Sequence, residues 1–230
     1  MRIAIRANAS AAIGTGHIRR CLSLGEGLRD AGAEVSFLTR ALGLDLAPLI
    51  RSAGFALFQL PSPGHAFVDE LGAPPHARWA GIGWREDAAQ SRAAIESWQP
   101  DALILDHYAF DASWIDAMRP VGKLGIVVID DLGDRALSAD IIVDHNYSDD
   151  HVYKHRISAQ YRPRLMGGPR YALLSRGYQT RSDFVLAQHV TSVGIFMGGS
   201  DIANATETAS GAVRSAHGPG AMVDVVSTNA

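Results

Sequence analysis

The segment Ile13-Gly14-Thr15-Gly16-His17-Ile18-Arg19-Arg20-Cys21-Leu22 decides the fold of this chain. It follows the apolar run Ile3-Ala4-Ile5 and leads into a stretch with helical spacing that ends at Gly32. This order predicts a strand, a glycine turn and a helix that begins near His17. The first N–H groups of such a helix favour a phosphate or another anion. Two interpretations of His17 stay open, a proton acceptor at a ligand site or a surface histidine in a helix-entry turn.

The alternation of strands and helices continues after this segment. Glu34 to Thr39 and Phe55 to Leu60 are predicted strands, with a short helix over Asp45 to Ala53 between them. This β-α-β-α-β pattern predicts a parallel sheet with right-handed crossovers. The remaining predicted elements of this part are a long irregular connection over 61–84, helices over 86–98, 112–118 and 149–159, strands over 101–105, 124–129 and 140–144, and a turn-rich connector over 165–174.

Polar residues follow three of the predicted strands directly. They are Asp106, Asp130 and Asp144 with their neighbours. Because ligands of open α/β sheets bind at the carboxyl ends of the strands, these residues indicate a binding edge. Aspartate is also common in turns, so the position of each of these residues, taken alone, is equally explained by a turn at the end of its strand.

The pattern starts again near residue 190. A strand over 190–197, a turn at Gly198-Gly199-Ser200-Asp201, a helix over 203–216 and a strand over 221–226 repeat the first unit. We therefore expect a complete N-terminal Rossmann-like domain over 1–175, a linker over 176–189 and the truncated start of a second Rossmann-like domain over 190–230. A β-α-β fragment of about 40 residues is near the limit for independent folding, and we expect the chain to stop early in that second domain.

Composition narrows the class of protein and its partners. The chain has 230 residues, 47% hydrophobic and 20% charged, with a net charge of −3 and one cysteine, Cys21. A net charge of −3 does not indicate the basic surface that nucleic-acid-binding proteins usually carry. No apolar run reaches the roughly 18 residues that a membrane-spanning helix needs. The N-terminus reads as a strand and not as a signal peptide. We expect a cytoplasmic protein with no nucleic-acid or membrane partner.

Familiar cofactor and metal motifs fit this sequence poorly. A dinucleotide fingerprint would need a third glycine where Arg19 stands, and the second strand ends in Thr39-Arg40 without the acidic residue. We recognise no His-x-x-x-His or paired-cysteine spacing that indicates zinc, and no Gly-x-Ser-x-Gly nucleophile turn. We expect no cofactor and no metal. Two glycine turns, each at a helix start, instead suit a nucleotide diphosphate with an attached group.

Six ordered motifs carry a resemblance to a known family. They are Ile3-Ala4-Ile5-Arg6-Ala7-Asn8-Ala9-Ser10, the segment Ile13 to Leu22, Asp106-His107-Tyr108, Ile129-Asp130-Asp131-Leu132, Gly168-Pro169-Arg170-Tyr171-Ala172-Leu173-Leu174 and Gly198-Gly199-Ser200-Asp201. Together they resemble the UDP-2,4-diacetamido-2,4,6-trideoxy-β-L-altropyranose hydrolases of pseudaminic acid biosynthesis. That family is similar to glycosyltransferases with two Rossmann-like domains, the GT-B type.

The resemblance implies hydrolysis of the sugar–UDP bond with inversion and without a metal, with His17 as the base that activates water. Asn8 departs from the family, which usually has aspartate there. A GT-B glycosyltransferase and a non-catalytic nucleotide-sugar binding module stay open as alternatives, and a monomer is favoured over an oligomer. The residues that the resemblance assigns to substrate binding are Gly14, Thr15, Gly16, Asp106 and Tyr108 in the first domain and Gly198, Gly199, Ser200 and Asn204 in the second.

Overall fold

The computed structural model describes residues 1–120, 123–151, 155, 161–178, 185–186, 188–198, 201, 204–217 and 222–226. The chain divides into two compact units, Met1–Gln179 and Thr180–Ala230. The described elements of the first unit are β1 (Arg2–Ala7), β2 (Ala9–Ser10), α1 (Gly16–Asp30), β3 (Glu34–Leu42), α2 (Ala47–Ser52), β4 (Ala56–Leu60), α3 (Trp84–Ile95), β5 (Ala102–Asp106), α4 (Ala112–Met118), β6 (Gly125–Ile129), β7 (Ile141–Asp144) and β8 (Arg164–Gly167).

One eight-stranded sheet organises the first unit. Its strand order is β4-β3-β1-β5-β6-β7-β8, with the short β2 paired to the end of β3. All of these pairs are parallel. The order reverses direction between β1 and β5, because β3 and β4 extend the sheet on one side of β1 and β5 to β8 on the other. Ligands of open α/β sheets bind at such a switch point, outside the carboxyl ends of the strands.

Apolar side chains cover both faces of this sheet, as expected for parallel strands with helices on each side. Ile3 and Ile5 of β1 belong to the same buried cluster as Ile18 of α1. Leu103 of β5 belongs to a second cluster, together with Trp114 of α4. The sheet is therefore the middle layer, and its carboxyl edge is the part left for polar groups.

Helix α1 approaches the sheet closely at one glycine. A Cβ added to Gly25 would lie 3.1 Å from Cζ of Phe55, whereas a Cβ on Gly27 would meet nothing within 4 Å. Gly25 is buried and Gly27 is exposed. The first glycine is thus explained by packing, and the second is not.

One sequence-based prediction in this unit is wrong. The turn-rich connector expected over 165–174 begins with a strand, because Leu165 and Met166 pair in parallel with β7 through Ile142 and Val143. The irregular connection over 61–84 contains a single turn of 3-10 helix at Ala77–Ala80. Most of the helix predicted over 149–159 lies outside the described residues.

The second unit contains, among its described residues, β9 (Ser192–Phe196), α5 (Ala205–His217) and β10 (Met222–Val226). The two strands pair in parallel and in register from Ser192 with Met222 to Phe196 with Val226. The predicted strand, helix and strand are therefore present in this order, whereas Gly199 and Ser200 of the predicted turn lie outside the described residues. Of the helices described anywhere in the chain, none has the length and apolar character that a membrane crossing requires.

Candidate active site

The connection between β1 and α1 opens onto the carboxyl edge of the sheet. Gly14 has φ 76° and donates its N–H to the carbonyl of Ser10 at 2.8 Å. Thr15 is the N-cap of α1, and its side chain makes no capping hydrogen bond. A Cβ on Gly14 or Gly16 would meet nothing within 4 Å. The start of α1 is therefore uncapped by a side chain and has open space beside it, as an anion site requires.

His17 occupies the first turn of α1 and is 7% exposed. Its Nδ1 lies 2.6 Å from Oδ1 of Asp106, at the end of β5. Its ring meets the ring of Tyr108 edge-on, with centroids 4.8 Å apart. Nη2 of Arg20, which can only donate, lies 3.1 Å from the same nitrogen, but the contact with the carboxylate is shorter at 2.6 Å. A carboxylate oxygen can only accept, so we assign the proton of the neutral ring to Nδ1. Among the described residues Nε2 has no hydrogen-bond partner, and it is not one of the buried unpaired atoms. Nε2 is thus the nitrogen left to accept a proton.

Asp106 is fully buried and is held by two residues of α1 besides His17. Arg20 donates from Nε to Oδ2 and from Nη2 to Oδ1, both at 2.6 Å. The Cys21 thiol donates to Oδ2 at 3.4 Å. Burial alone would raise the pKa of Asp106, but the hydrogen bonds and charge of Arg20 and the hydrogen bond from His17 outweigh burial and lower it strongly. Asp106 is therefore ionised and acts as a fixed acceptor for His17.

Arg20 was missed in the sequence analysis. It lies three residues after His17, so both side chains project from the same face of α1. Its pKa is raised, because the hydrogen bonds and the charge of Asp106 outweigh the effect of burial. The spacing of three residues between His17 and Arg20 was the signal in the sequence that could have identified Arg20. The guanidinium of Arg20 neutralises the charge of the Asp106 carboxylate that holds His17.

Tyr108 is half-buried beside His17. Its hydroxyl accepts from Nη2 of Arg20 at 3.4 Å and donates to a carboxylate oxygen of Asp131. Burial, assisted by the Asp131 carboxylate, raises the pKa of Tyr108, so the hydroxyl keeps its proton. The ring centroid of Trp79 lies 6.0 Å from that of Tyr108, which brings the 61–84 connection to this part of the edge.

Asn8 lies in a buried polar network next to His107, with its Nδ2 3.1 Å from Nε2 of that ring. Its Oδ1 accepts from the backbone N–H of Arg40 at 2.9 Å and from Nη1 of Arg6 at 2.5 Å. Arg6 and Arg40 both pair with Asp87, at 2.8 and 2.9 Å. Asp87 supplies the negative charge that these two buried guanidinium groups need. The amide of Asn8 therefore serves as a neutral acceptor in the network.

The second unit carries the other predicted binding residues. Gly198 has φ 79° and Asn204 has φ 51°. The Asn204 side chain donates to Oε2 of Glu207 at 2.7 Å. Asp201 caps α5 by accepting from the N–H groups of Ala205 and Thr206, at 2.8 and 3.1 Å. Two N–H groups at this helix start thus already bind a carboxylate. The remaining two predicted residues, Gly199 and Ser200, lie outside the described part of the chain.

The first unit therefore brings His17, Asp106 and Tyr108 together at the switch point, with Gly14, Thr15 and Gly16 at the adjoining helix start. Gly198 and Asn204 belong to the second unit, which forms a separate body. The pairing of a buried carboxylate with an accessible imidazole nitrogen is an arrangement that fixes the tautomer and the orientation of histidine.

The strand order and the second β-α-β unit define an α/β protein of GT-B-like fold, with a parallel sheet of Rossmann-like order in its first unit. Its similarity to the solved structure of MurG from Acinetobacter baumannii shows this fold, with a TM-score of 0.51 and 11% identity over 98% of this chain and 67% of MurG. No protein-family model and no curated protein matches the chain.

Two further solved structures match a shorter part of the chain. One is described as the glycotransferase of kitacinnamycin, with 21% identity and a TM-score of 0.39. The other is CalG4, the calicheamicin glycosyltransferase, with 18% identity and a TM-score of 0.35. Each match covers 56% of this chain but only 30% and 32% of those two proteins.

Proposed function

We propose that this chain carries the base of a GT-B-type enzyme that transfers the sugar of a UDP-sugar to an oxygen nucleophile, with His17 as that base. The observation that carries the proposal is the 2.6 Å contact between His17 Nδ1 and Asp106 Oδ1. Because Nδ1 holds its proton against a buried carboxylate, the lone pair of Nε2 is left for the nucleophile. The arrangement lies at the switch point of the sheet, where such folds bind their ligands.

In the proposed reaction the anomeric carbon exchanges one C–O bond for another, and one proton moves from the nucleophile to His17. The nucleophile oxygen attacks the anomeric carbon while Nε2 of His17 takes its proton. The bond from that carbon to the β-phosphate oxygen breaks, and UDP leaves with the electron pair. Attack from the side opposite to UDP inverts the anomeric carbon. Asp106 is a positioning residue, since its carboxylate stabilises the imidazolium that forms, and Tyr108 is proposed to reach the sugar.

Charge on the departing UDP is proposed to be balanced by backbone groups and not by a metal. The open turn at Gly14, Thr15 and Gly16 leads into the uncapped start of α1, whose N–H groups and dipole favour a diphosphate. In the second unit, Gly198-Gly199-Ser200 and Asn204 are proposed to contact the same diphosphate. Two of the first N–H groups of α5 already bind the Asp201 carboxylate. The glycine turn before this helix is therefore the better candidate for contact with the diphosphate.

Water is the first candidate nucleophile, because the six motifs resemble UDP-2,4-diacetamido-2,4,6-trideoxy-β-L-altropyranose hydrolases. A sugar hydroxyl is the second, supported by the GT-B fold shared with MurG. The two reactions use the same base and differ in the nucleophile, water or a sugar hydroxyl, that binds beside His17. Incubation with the UDP-2,4-diacetamido sugar, with and without sugar acceptors, separates them by whether free sugar or a glycoside forms.

The test of the base is His17→Ala, assayed by UDP release and by UDP binding in a calorimeter. We expect turnover to disappear while UDP affinity stays within a few-fold of the parent chain. The matched control is His65→Ala, which removes an exposed histidine of the 61–84 connection. Equal turnover in the parent chain and in His17→Ala contradicts the assignment of the base. UDP binding with no release by either chain supports the non-catalytic binding module.

A further inference from the structure

A second group of titratable side chains lies further along the carboxyl edge of the sheet. Asp144 ends β7, and His151 and His155 follow it. Oδ2 of Asp144 lies 3.0 Å from Nδ1 of His151 and 3.0 Å from Nε2 of His155. These three atoms all lie within 4.8 Å of one another. Two imidazole nitrogens and one carboxylate oxygen therefore converge on one point.

The two histidines are arranged as a chelating pair. They stand four residues apart, and the N–H of His155 donates to the carbonyl of His151 at 3.0 Å. Residues four apart in a helical turn project to the same side. This His-x-x-x-His spacing corrects the sequence analysis, which recognised neither this spacing nor paired cysteines and therefore expected no metal.

The separations of the donor atoms suit a small tetrahedral ion. Zinc bonds of about 2.0–2.1 Å to nitrogen and oxygen place tetrahedral ligand atoms about 3.4 Å apart. The two measured separations of 3.0 Å are shorter by a few tenths of an ångström, within reach of small side-chain rotations. One carboxylate with two imidazoles leaves the fourth position open for water, as in zinc sites with three protein ligands.

A second carboxylate supports the ring of His155 from behind. Nδ1 of His155 lies 3.2 Å from Oδ2 of Asp130, at the end of β6. Asp130 is itself held by Arg135, at 2.7 Å, and by the N–H of Gly133, at 2.9 Å. Histidine ligands of metals usually donate their other N–H to a carboxylate, which fixes the ring and raises its basicity. His155 and Asp130 stand close enough for this arrangement, although the geometry of their 3.2 Å contact is not that of a hydrogen bond.

Space for the other imidazole is made by a glycine. A Cβ on Gly167 of β8 would overlap Cδ2 of His151. The ring thus lies directly against the backbone of β8, which limits its orientations. Ordered donor groups reduce the entropy lost when an ion binds.

We propose that Asp144, His151 and His155 form a Zn²⁺ site, with Asp130 as the outer carboxylate. The donor set favours zinc over magnesium or calcium, because imidazole is a ligand of Zn²⁺ and similar transition metals whereas Mg²⁺ and Ca²⁺ take oxygen ligands. The site shares no residue with the His17 pair. Metal binding is therefore independent of the proposed sugar transfer, and its test does not use turnover.

The experiment is a titration of the chelator-treated full chain, purified without a histidine tag, with Co²⁺ and then Zn²⁺. Co²⁺ in such a site gives visible absorption bands, which Zn²⁺ abolishes by displacement, and calorimetry with Zn²⁺ gives the stoichiometry. We expect one ion per chain. His151→Ala is expected to lower the affinity by at least the factor of about 10–100 that follows loss of an outer-shell partner. His65→Ala, the exposed control, keeps the parent affinity.

A second variant separates loss of the site from loss of the fold. Gly167→Ala keeps all three donors but displaces the ring of His151, so we expect weaker Zn²⁺ binding with an unchanged circular dichroism spectrum. If the parent chain binds no stoichiometric Zn²⁺ or Co²⁺, the three residues form ion pairs only and the proposal is overturned. Parent affinity in both His151→Ala and Gly167→Ala overturns it as well.

Discussion

Asp106→Asn tests the His17 pair most directly, because the new side chain has nearly the same shape. Asp106 accepts hydrogen bonds on both oxygens, from His17 Nδ1 and from two nitrogens of Arg20, all at 2.6 Å. An amide replaces one of these oxygens by a donor. In either orientation that NH₂ group faces a donor of Arg20, and in one of them it also faces His17.

Two magnitudes follow from these contacts. Removal of one partner of a buried ion pair costs about 3–5 kcal/mol of folding stability, because Arg20 is left without its charge partner. An amide that donates to Nδ1 also moves the ring proton of His17 to Nε2, the atom that should accept. In a serine protease the equivalent aspartate-to-asparagine change lowers kcat about 10⁴-fold, which corresponds to about 5.5 kcal/mol in the barrier. We expect a loss of turnover of that order.

The assays are UDP release and nitrogen NMR of ¹⁵N-labelled histidine. In the parent chain the neutral ring of His17 should give a protonated Nδ1 and an unprotonated Nε2, and in Asp106→Asn the reverse. Asp69→Asn, on an exposed carboxylate of the 61–84 connection, is the matched control. Turnover of Asp106→Asn within tenfold of the parent, or an unchanged tautomer, would refute the role given to Asp106.

Three further predictions concern the stability of the fold and are measured by urea denaturation. Gly25→Ala places a Cβ 3.1 Å from the ring of Phe55 and should lower the free energy of unfolding by about 1–3 kcal/mol. Gly27→Ala places its Cβ in open space and should raise the free energy of unfolding by up to about 1 kcal/mol. Equal effects of the two changes would contradict the packing of α1 against Phe55. Asp87→Asn leaves two buried arginines without their partner and should cost about 3–5 kcal/mol, and a loss below 1 kcal/mol would argue against that network. Burial opposes ionisation of Asp87 and Asp106, but their arginine partners keep both pKa values low. Their contribution to the free energy of unfolding is therefore present above about pH 4 and is lost as the pH falls below it; a flat profile would contradict this.

The sequence predicts most of the first unit because its strands are buried on both faces. Runs such as Ile3-Ala4-Ile5 and Leu103-Ile104-Leu105 are apolar at every position and are bounded by turn residues, which is a local signal. The strand β8 gives no such signal. Gly167 stands beside Gly168 and Pro169, so the stretch resembles a turn, and only pairing with β7 makes it a strand.

The candidate site was predictable in part for the same reason. His17 follows a glycine turn that is visible in the sequence, and Asp106 follows an apolar strand. Helical spacing also pointed to Arg20, and to His155 four residues after His151, but neither spacing was used. The burial of Arg6 and Arg40 was not predictable, because an arginine in a strand looks exposed until its partner is known. That partner, Asp87, is 81 and 47 residues away in the chain.

Cys21 allows the detachment of α1 from the sheet to be followed through the rate at which its thiol reacts. It is the single cysteine of the sequence, it is fully buried, and burial raises the pKa of its thiol well above the ordinary value. Alkylating reagents act on an exposed thiolate, so they can modify it only when α1 moves away from the sheet. The rate of modification in native buffer therefore measures how often the helix that bears His17 detaches, without any label being introduced.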